Sequence, residues 1–400
     1  MILLDISICT IVYLIGFNLK NAFTSFTKSD KRFLNYLFFF HFAVAIAFNF
    51  LVANGGGDAV VYWNFSKDNS LAVITNVIER GSASGVIYLI NYIPSHVLDL
   101  SFFTGNMMYA LIGYLGFIYL YSITKSFSKD VSVYNQFKIF GISFFPWIWF
   151  LPNLHFWSSG IGKDTLLFFC IALFAYSLLN IKKRLLGLVV SIILSLVIRP
   201  HITLFLIISF GIGYTLDGRL KTYQKLIIFL LFVTFFGFIF NYVVDFVRLE
   251  SLEIESIQDY TSNKAAKLNQ ADSGSGLDIS AYPYPLKVFT FLYRPLFFDV
   301  NGALAILASI ENLILLLFTI MTLRNNPIKG FKMGNFLLKG SAIYFILGAL
   351  SFSLILGNLG IMLRQKNMFF PLFFIFGLWV NYYHHNTSLK PSHENSSSNK

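Results

Sequence analysis

Arg199-Pro200-His201 stands between two apolar runs, LLGLVVSIILSLVI and ITLFLIISFGIGYTL. An arginine in that setting needs an anionic partner, and its planar fork takes phosphate oxygens in pairs. Pro200 lacks an N–H and disfavours helix at the residue before it, so the triplet predicts a turn between two spans. Other polar residues recur at the ends of apolar runs: Asp58 after Gly55-Gly56-Gly57, His155, Trp157, Lys163 and Asp164 in HFWSSGIGKD, then Arg294, Arg364 and Lys366. Together they offer cations for a phosphate and, in Asp58 or His201, a base for an acceptor hydroxyl. His155 is a further base candidate. The Trp157 ring suits the face of a sugar. Each has a plainer reading: a snorkelling arginine, a glycine turn, belt aromatics, an interfacial histidine, or a helix start at Lys163-Asp164. Glu311 differs because it lies well inside the run 303–323, roughly 15 Å along a helix. A carboxylate at that depth reads as functional by default, paired with an arginine or protonated and hydrogen-bonded to Asn312 or a neighbouring helix.

The elements that must carry these residues follow from composition. Of 400 residues 56% are hydrophobic and 12% charged, whereas soluble domains carry about 25% charged residues. The 47 Phe lie in long apolar runs rather than in the two-residue alternation of a barrel. The expected fold is all-α, a polytopic helical membrane protein. Cys9 and Cys170 both sit in apolar runs, so no disulfide framework is implied. The net charge of +11 comes mostly from residues flanking spans, which argues for topology and against nucleic acid. There is no Cys/His metal signature, P-loop or dinucleotide fingerprint, and neither a metal nor a cofactor is expected.

Hydropathy and charge predict eleven spans at about 1–19, 34–53, 101–121, 139–152, 165–181, 185–198, 202–216, 226–247, 303–323, 341–357 and 367–383. The segment VIYLINYIPSHVLDL, before the third, reads as an interfacial or re-entrant helix. The domain is 1–383, with extracytoplasmic loops at about 54–100, 152–164, 248–300 and 358–366 and a polar cytoplasmic tail at 384–400. With the N-terminus outside, 19 of the 30 Lys and Arg fall on the inner side, despite the longer outer loops. Asp58, His155, Lys163, Asp164, Arg199, His201, Arg294, Arg364 and Lys366 then share one face, from separate loops.

The phrases GGGDAVVYW, LPNLHFWSSGIGKD, RPH, YRPLFFDVNG and NLGIMLRQKNMFFPL resemble those of the bacterial O-antigen and exopolysaccharide polymerases, multi-pass proteins akin to the C-type glycosyltransferases. The resemblance is spread over most of the chain as short, scattered phrases. It implies metal-independent transfer of a glycan from one polyprenyl-diphosphate carrier onto another lipid-linked repeat unit, at the outer face of a bacterial inner membrane, where other polysaccharide assembly proteins are potential partners. It implies that Arg199, Arg294 and Arg364 hold the diphosphate. Family members show an arginine followed at fixed spacing by glycine in two outer loops, and Arg199 to Gly211 matches this loosely. A ligase or a single-sugar transferase shares the same features. Two rivals stand beside an enzyme: a lipid-linked glycan flippase, with polar residues along a central path, and a non-catalytic subunit of an assembly complex.

Overall fold

The computed structural model describes residues 2–128, 131–139, 141–218, 221–227, 229, 230, 233, 234, 237, 276–279, 281–300 and 302–388. The chain opens with α1 (Ile2–Asn18) and α2 (Lys28–Gly55). α2 starts on a reciprocal cap: Thr27 Oγ1 accepts from Asp30 N, and the Asp30 carboxylate accepts from Thr27 N. It stops where Gly56 and Gly57 turn at φ 75° and 128°, values that only glycine adopts without strain. The expected loop 54–100 is a small helical cap made of α3 (Asp58–Asp68), α4 (Leu71–Glu79) and α5 (Gly85–Tyr92). α5 falls where the interfacial helix was expected.

α6 (Phe102–Ser126) is the buried centre of the first half. Its first turn is tied to α1, where Asp5 accepts from Ser101 N at 2.9 Å and Ser101 Oγ at 2.8 Å. Its last turn is tied to the start of α2, where Asp30 takes the Tyr121 hydroxyl at 2.6 Å and the Lys125 ammonium. A short hairpin (β1 Lys138–Ile139, β2 Ile142–Ser143) and α7 (Pro152–Trp157) follow. The chain continues through α8 (Lys163–Leu178), α9 (Ile181–Ile198) and α10 (Pro200–Thr215), then α11 (Tyr284–Tyr293) and α12 (Ala303–Arg324). It ends with α13 (Pro327–Met333), α14 (Phe336–Ser353), α15 (Leu359–Lys366) and α16 (Phe370–Ser388).

Among the described residues, five helices are long and apolar enough to cross a bilayer: Ile2–Ala22, α2, α6, α12 and α14. The chain is a multi-pass helical membrane protein. α8 and α10, at 16 residues each, reach only about 24 Å. The expected eighth span and most of the loop after it lie outside the described residues, although residues 222–227 are helical. The expected tail begins later than residue 384, because α16 runs on to Ser388.

The fourth expected span is corrected. Residues 141–152 form no membrane-length helix, but the segment from Phe144 to Trp157 climbs alongside α2. Phe145 lies 5.7 Å from Phe33, Phe150 5.5 Å from Phe40, His155 5.1 Å from His41 and Phe156 4.9 Å from Phe48, centroid to centroid. From Phe33 to Phe48 that rise is roughly 22 Å. Prolines and aromatics disfavour helix here, and irregular backbone is tolerated at depth only when protein encloses it. Phe144, Phe145, Ile148, Trp149 and Leu154 are all buried.

α10 and α14 meet backbone to backbone. A Cβ on Gly213 would stand 2.6 Å from Phe336 O and 2.7 Å from Gly340 N. Those atoms cannot rotate away, so Gly213→Val is expected to cost more than about 1–3 kcal/mol and to lower the melting temperature of the purified protein. Gly218→Val, where a Cβ meets nothing within 4 Å, should leave it unchanged.

Candidate functional site

Two helices start at one cleft. Gly56-Gly57 delivers Asp58 to the first turn of α3, and Gly162 delivers Asp164 to the first turn of α8, so both carboxylates sit at positive helix ends. The loop between α7 and α8 is held from behind. Asn49 and Asn106 hydrogen-bond at 2.8 Å, Ile161 N donates to Asn106 Oδ1 at 3.0 Å, and a Cβ on Gly160 would collide with the Phe48 ring.

Asp164 is clasped by two arginines. Arg364 of α15 donates from Nε to Asp164 Oδ2 and from Nη1 to Asp58 Oδ2 at 3.0 Å, while Arg199 Nη2 lies 3.2 Å from Asp164 Oδ1. Asp164 Oδ1 takes no hydrogen bond beyond this ion pair. Arg199, at the bend between α9 and α10, also donates to Gln365 Oε1 at 2.6 Å. The Arg364 guanidinium is 5.2 Å from the Trp157 ring centre, and Lys163 Nζ is 5.8 Å from that of Tyr62. The cavity beside them, about 260 Å³, is lined by Gly56, Asp58, Tyr62, Trp157, Asp164 and Arg364, among others. Burial alone would weaken the Arg364 charge, but Asp164 and Asp58 outweigh it and push its pKa up. Burial, with Arg199 as a neighbour, pulls Lys163 down.

Asp58, Trp157, Lys163, Asp164, Arg199 and Arg364, from four separate stretches of chain, thus meet at one end of the bundle. The remaining expected residues lie elsewhere. Arg199, expected to seek a phosphate, has a carboxylate from its own chain. Arg294 is held by Asp299, through Nε at 3.0 Å and through Nη2, and lies 3.5 Å from the Tyr282 hydroxyl. His155, a candidate base and ligand, has no exposed surface and faces His41 and Trp149 O. That burial takes it out of the cleft. His201 packs 5.8 Å from Phe352. Glu311 pairs with no arginine among the described contacts; its Oε1 accepts from Asn153 N at 2.7 Å, capping α7. Asn312 instead donates to Pro295 O at 2.7 Å and accepts from Lys366, a fully buried ammonium 3.4 Å from Arg294 O.

Gln365, Tyr62 and Asn153 went unnoticed in the sequence, as did the burial of Lys366. Tyr62 had a signal, since it lies one helical turn after Asp58. Gln365 had only its place beside Arg364. No group of three or more His, Cys, Asp or Glu that could hold a metal ion occurs among the described residues. No protein-family model matches the chain, and no curated protein or solved structure matches it.

The two carboxylates should differ sharply on neutralisation. Among the described residues, Asp164→Asn leaves the enclosed Arg199 without a carboxylate and Arg364 with the exposed Asp58 alone, and should cost roughly 3–5 kcal/mol. Asp58, its side chain 58% exposed, should cost no more than about 1 kcal/mol as Asp58→Asn. Melting temperatures of the two variants check this. Burial would raise Asp299, yet Arg294 and Leu296 N–H hold it below its usual range. A depressed folded value means stability that is present above the ordinary carboxylate pKa, about 3.9, and is lost as pH falls through the folded one. Asp299→Asn should flatten the acid limb of the stability curve.

Proposed function

We propose that the chain is a membrane glycosyltransferase of the polysaccharide polymerase type, acting on polyprenyl-diphosphate-linked repeat units. The observation that carries this reading is the cavity in which Arg364 stands between two carboxylates and over Trp157. A lipid-linked sugar diphosphate presents the complementary chemistry: anionic oxygens for an arginine fork, a ring face for an indole, and hydroxyls for carboxylates. Arg199, Arg364 and Lys163 exceed Asp58 and Asp164 by one charge when all are ionised.

The exposed Asp58 is the partner a diphosphate displaces at least cost. A phosphate that takes Arg364 Nη1 releases the Asp58 carboxylate beside the bound substrate, where it accepts the proton of the attacking hydroxyl. Arg364 and Arg199 then offset the charge that builds on the leaving diphosphate. Arg294, already forked on Asp299, serves in this reading to shape its loop. The topology that goes with it has eleven crossings, the fourth made by the irregular stretch ending in α7. The N-terminus is outside, the C-terminus inside, and the cleft lies on the outer face of a bacterial inner membrane. Other assembly proteins are potential partners.

A flippase reading gains one observation of its own: Glu311, Asn312, Lys366 and the His41–His155 pair are polar and buried. Complementation of surface-polysaccharide synthesis separates the two, with membrane insertion verified and lipid-linked products sized. Arg364→Lys keeps the charge and removes the fork. It should abolish long chains while single repeat units accumulate on carrier lipid outside, as should Arg199→Ala. Arg294→Ala should retain chains. Long chains persisting with Arg364→Lys would sink the polymerase reading, and units trapped inside would favour the flippase.

A further inference from the structure

His41, midway along α2, and His155, in α7, are both fully enclosed, at 0% exposure. Three close contacts fix their rings. His41 Nε2 lies 2.9 Å from Ala110 O, His155 Nε2 lies 2.7 Å from Trp149 O, and the two Nδ1 atoms are 2.8 Å apart. A carbonyl oxygen only accepts, so each Nε2 must carry a hydrogen. The contact between the Nδ1 atoms needs another. That makes three N–H bonds on two rings, whereas two neutral imidazoles supply two. Turning either ring over would place a ring C–H at 2.8 Å from a nitrogen, closer than such a contact allows.

We infer that His41 and His155 form a buried proton site, binding one shared proton between their Nδ1 atoms as a single delocalised monocation. Enclosure opposes a charge. Against it stand the two carbonyl dipoles and the Phe117 ring, stacked on His155 at 4.2 Å and 7°. A neutral pair would have to leave two lone pairs facing each other at one of the three contacts. The surrounding elements bring few other ionisable groups. α6 contributes Tyr114, 6.3 Å from His41 between ring centres, with its hydroxyl spent on Leu34 O at 2.9 Å. The stretch before α7 contributes only the Trp149 carbonyl. Glu311 of α12 reaches α7 at Asn153 N, two residues from His155, which puts a carboxylate on the same short helix.

The proton bolts α7, a helix of six residues, to α2 and α6. α7 ends in Trp157, and the loop after it leads to Asp164, so the site positions one wall of the cleft. It does so whatever that cleft binds.

Imidazole nitrogen NMR counts the hydrogens directly. The full chain is labelled with ¹⁵N-histidine and reconstituted in lipid nanodiscs at neutral pH. His96, His201, His384, His385 and His393 are replaced by glutamine, so that only the pair reports. Three of the four ring nitrogens should be protonated, with scalar coupling across the hydrogen bond between the two Nδ1 atoms. Two protonated nitrogens, or no coupling between the rings, would overturn the proposal. If the substituted chain fails to fold, the natural chain gives the same count, with the pair's signals identified by their loss in His41→Gln and His155→Gln.

Discussion

A carboxylate shared by two arginines holds the cleft end of this protein together. Asp164 meets Arg199 at 3.2 Å and Arg364 through its second oxygen, and neither arginine has more than a quarter of its side chain exposed. Charges so enclosed are stable only when paired, because each partner removed leaves the other desolvated and unmatched. The α9–α10 bend, the start of α8 and the short helix α15 are therefore fastened at one point. Gln365, next to Arg364, adds a second tie to Arg199. What faces the cavity at its lip is the exposed Asp58, held by Arg364, and the Trp157 ring.

The middle of the bundle is governed by a different constraint. Backbone that is not helical must find its hydrogen bonds inside the protein when no water is near. The stretch before α7 satisfies this by lying against α2 and α6, with Trp149 O taken by His155 and the first turn of α7 capped by Glu311. Lys366 plays a matching part on the other side, spanning Asn312 and the carbonyls of Leu292 and Arg294. These buried polar groups act as joints between elements too short or too irregular to pack by apolar contact alone.

The same economy explains why the arginines divide in their roles. Arg294 has its carboxylate five residues away, so its pair closes locally and shapes one turn. Arg199 and Arg364 have theirs on a helix far away in sequence, and pairing there draws separate segments into a cavity.

The sequence alone determined the class of fold, because a chain so rich in apolar runs must bury them in lipid or in helix contacts. It also determined that Asp58, Lys163, Asp164, Arg199 and Arg364 sit at helix ends, since charge avoids the apolar interior. Three things were decided only by tertiary structure. Which carboxylate faces which arginine depends on the angles at which helices pack, and hydropathy does not encode those angles. The irregular course of residues 141–152 depends on neighbours that shield its backbone; by composition it looks like a short helix. The fate of His155 was likewise invisible, because His41 lies in another element and only the fold brings the two rings within hydrogen-bonding distance.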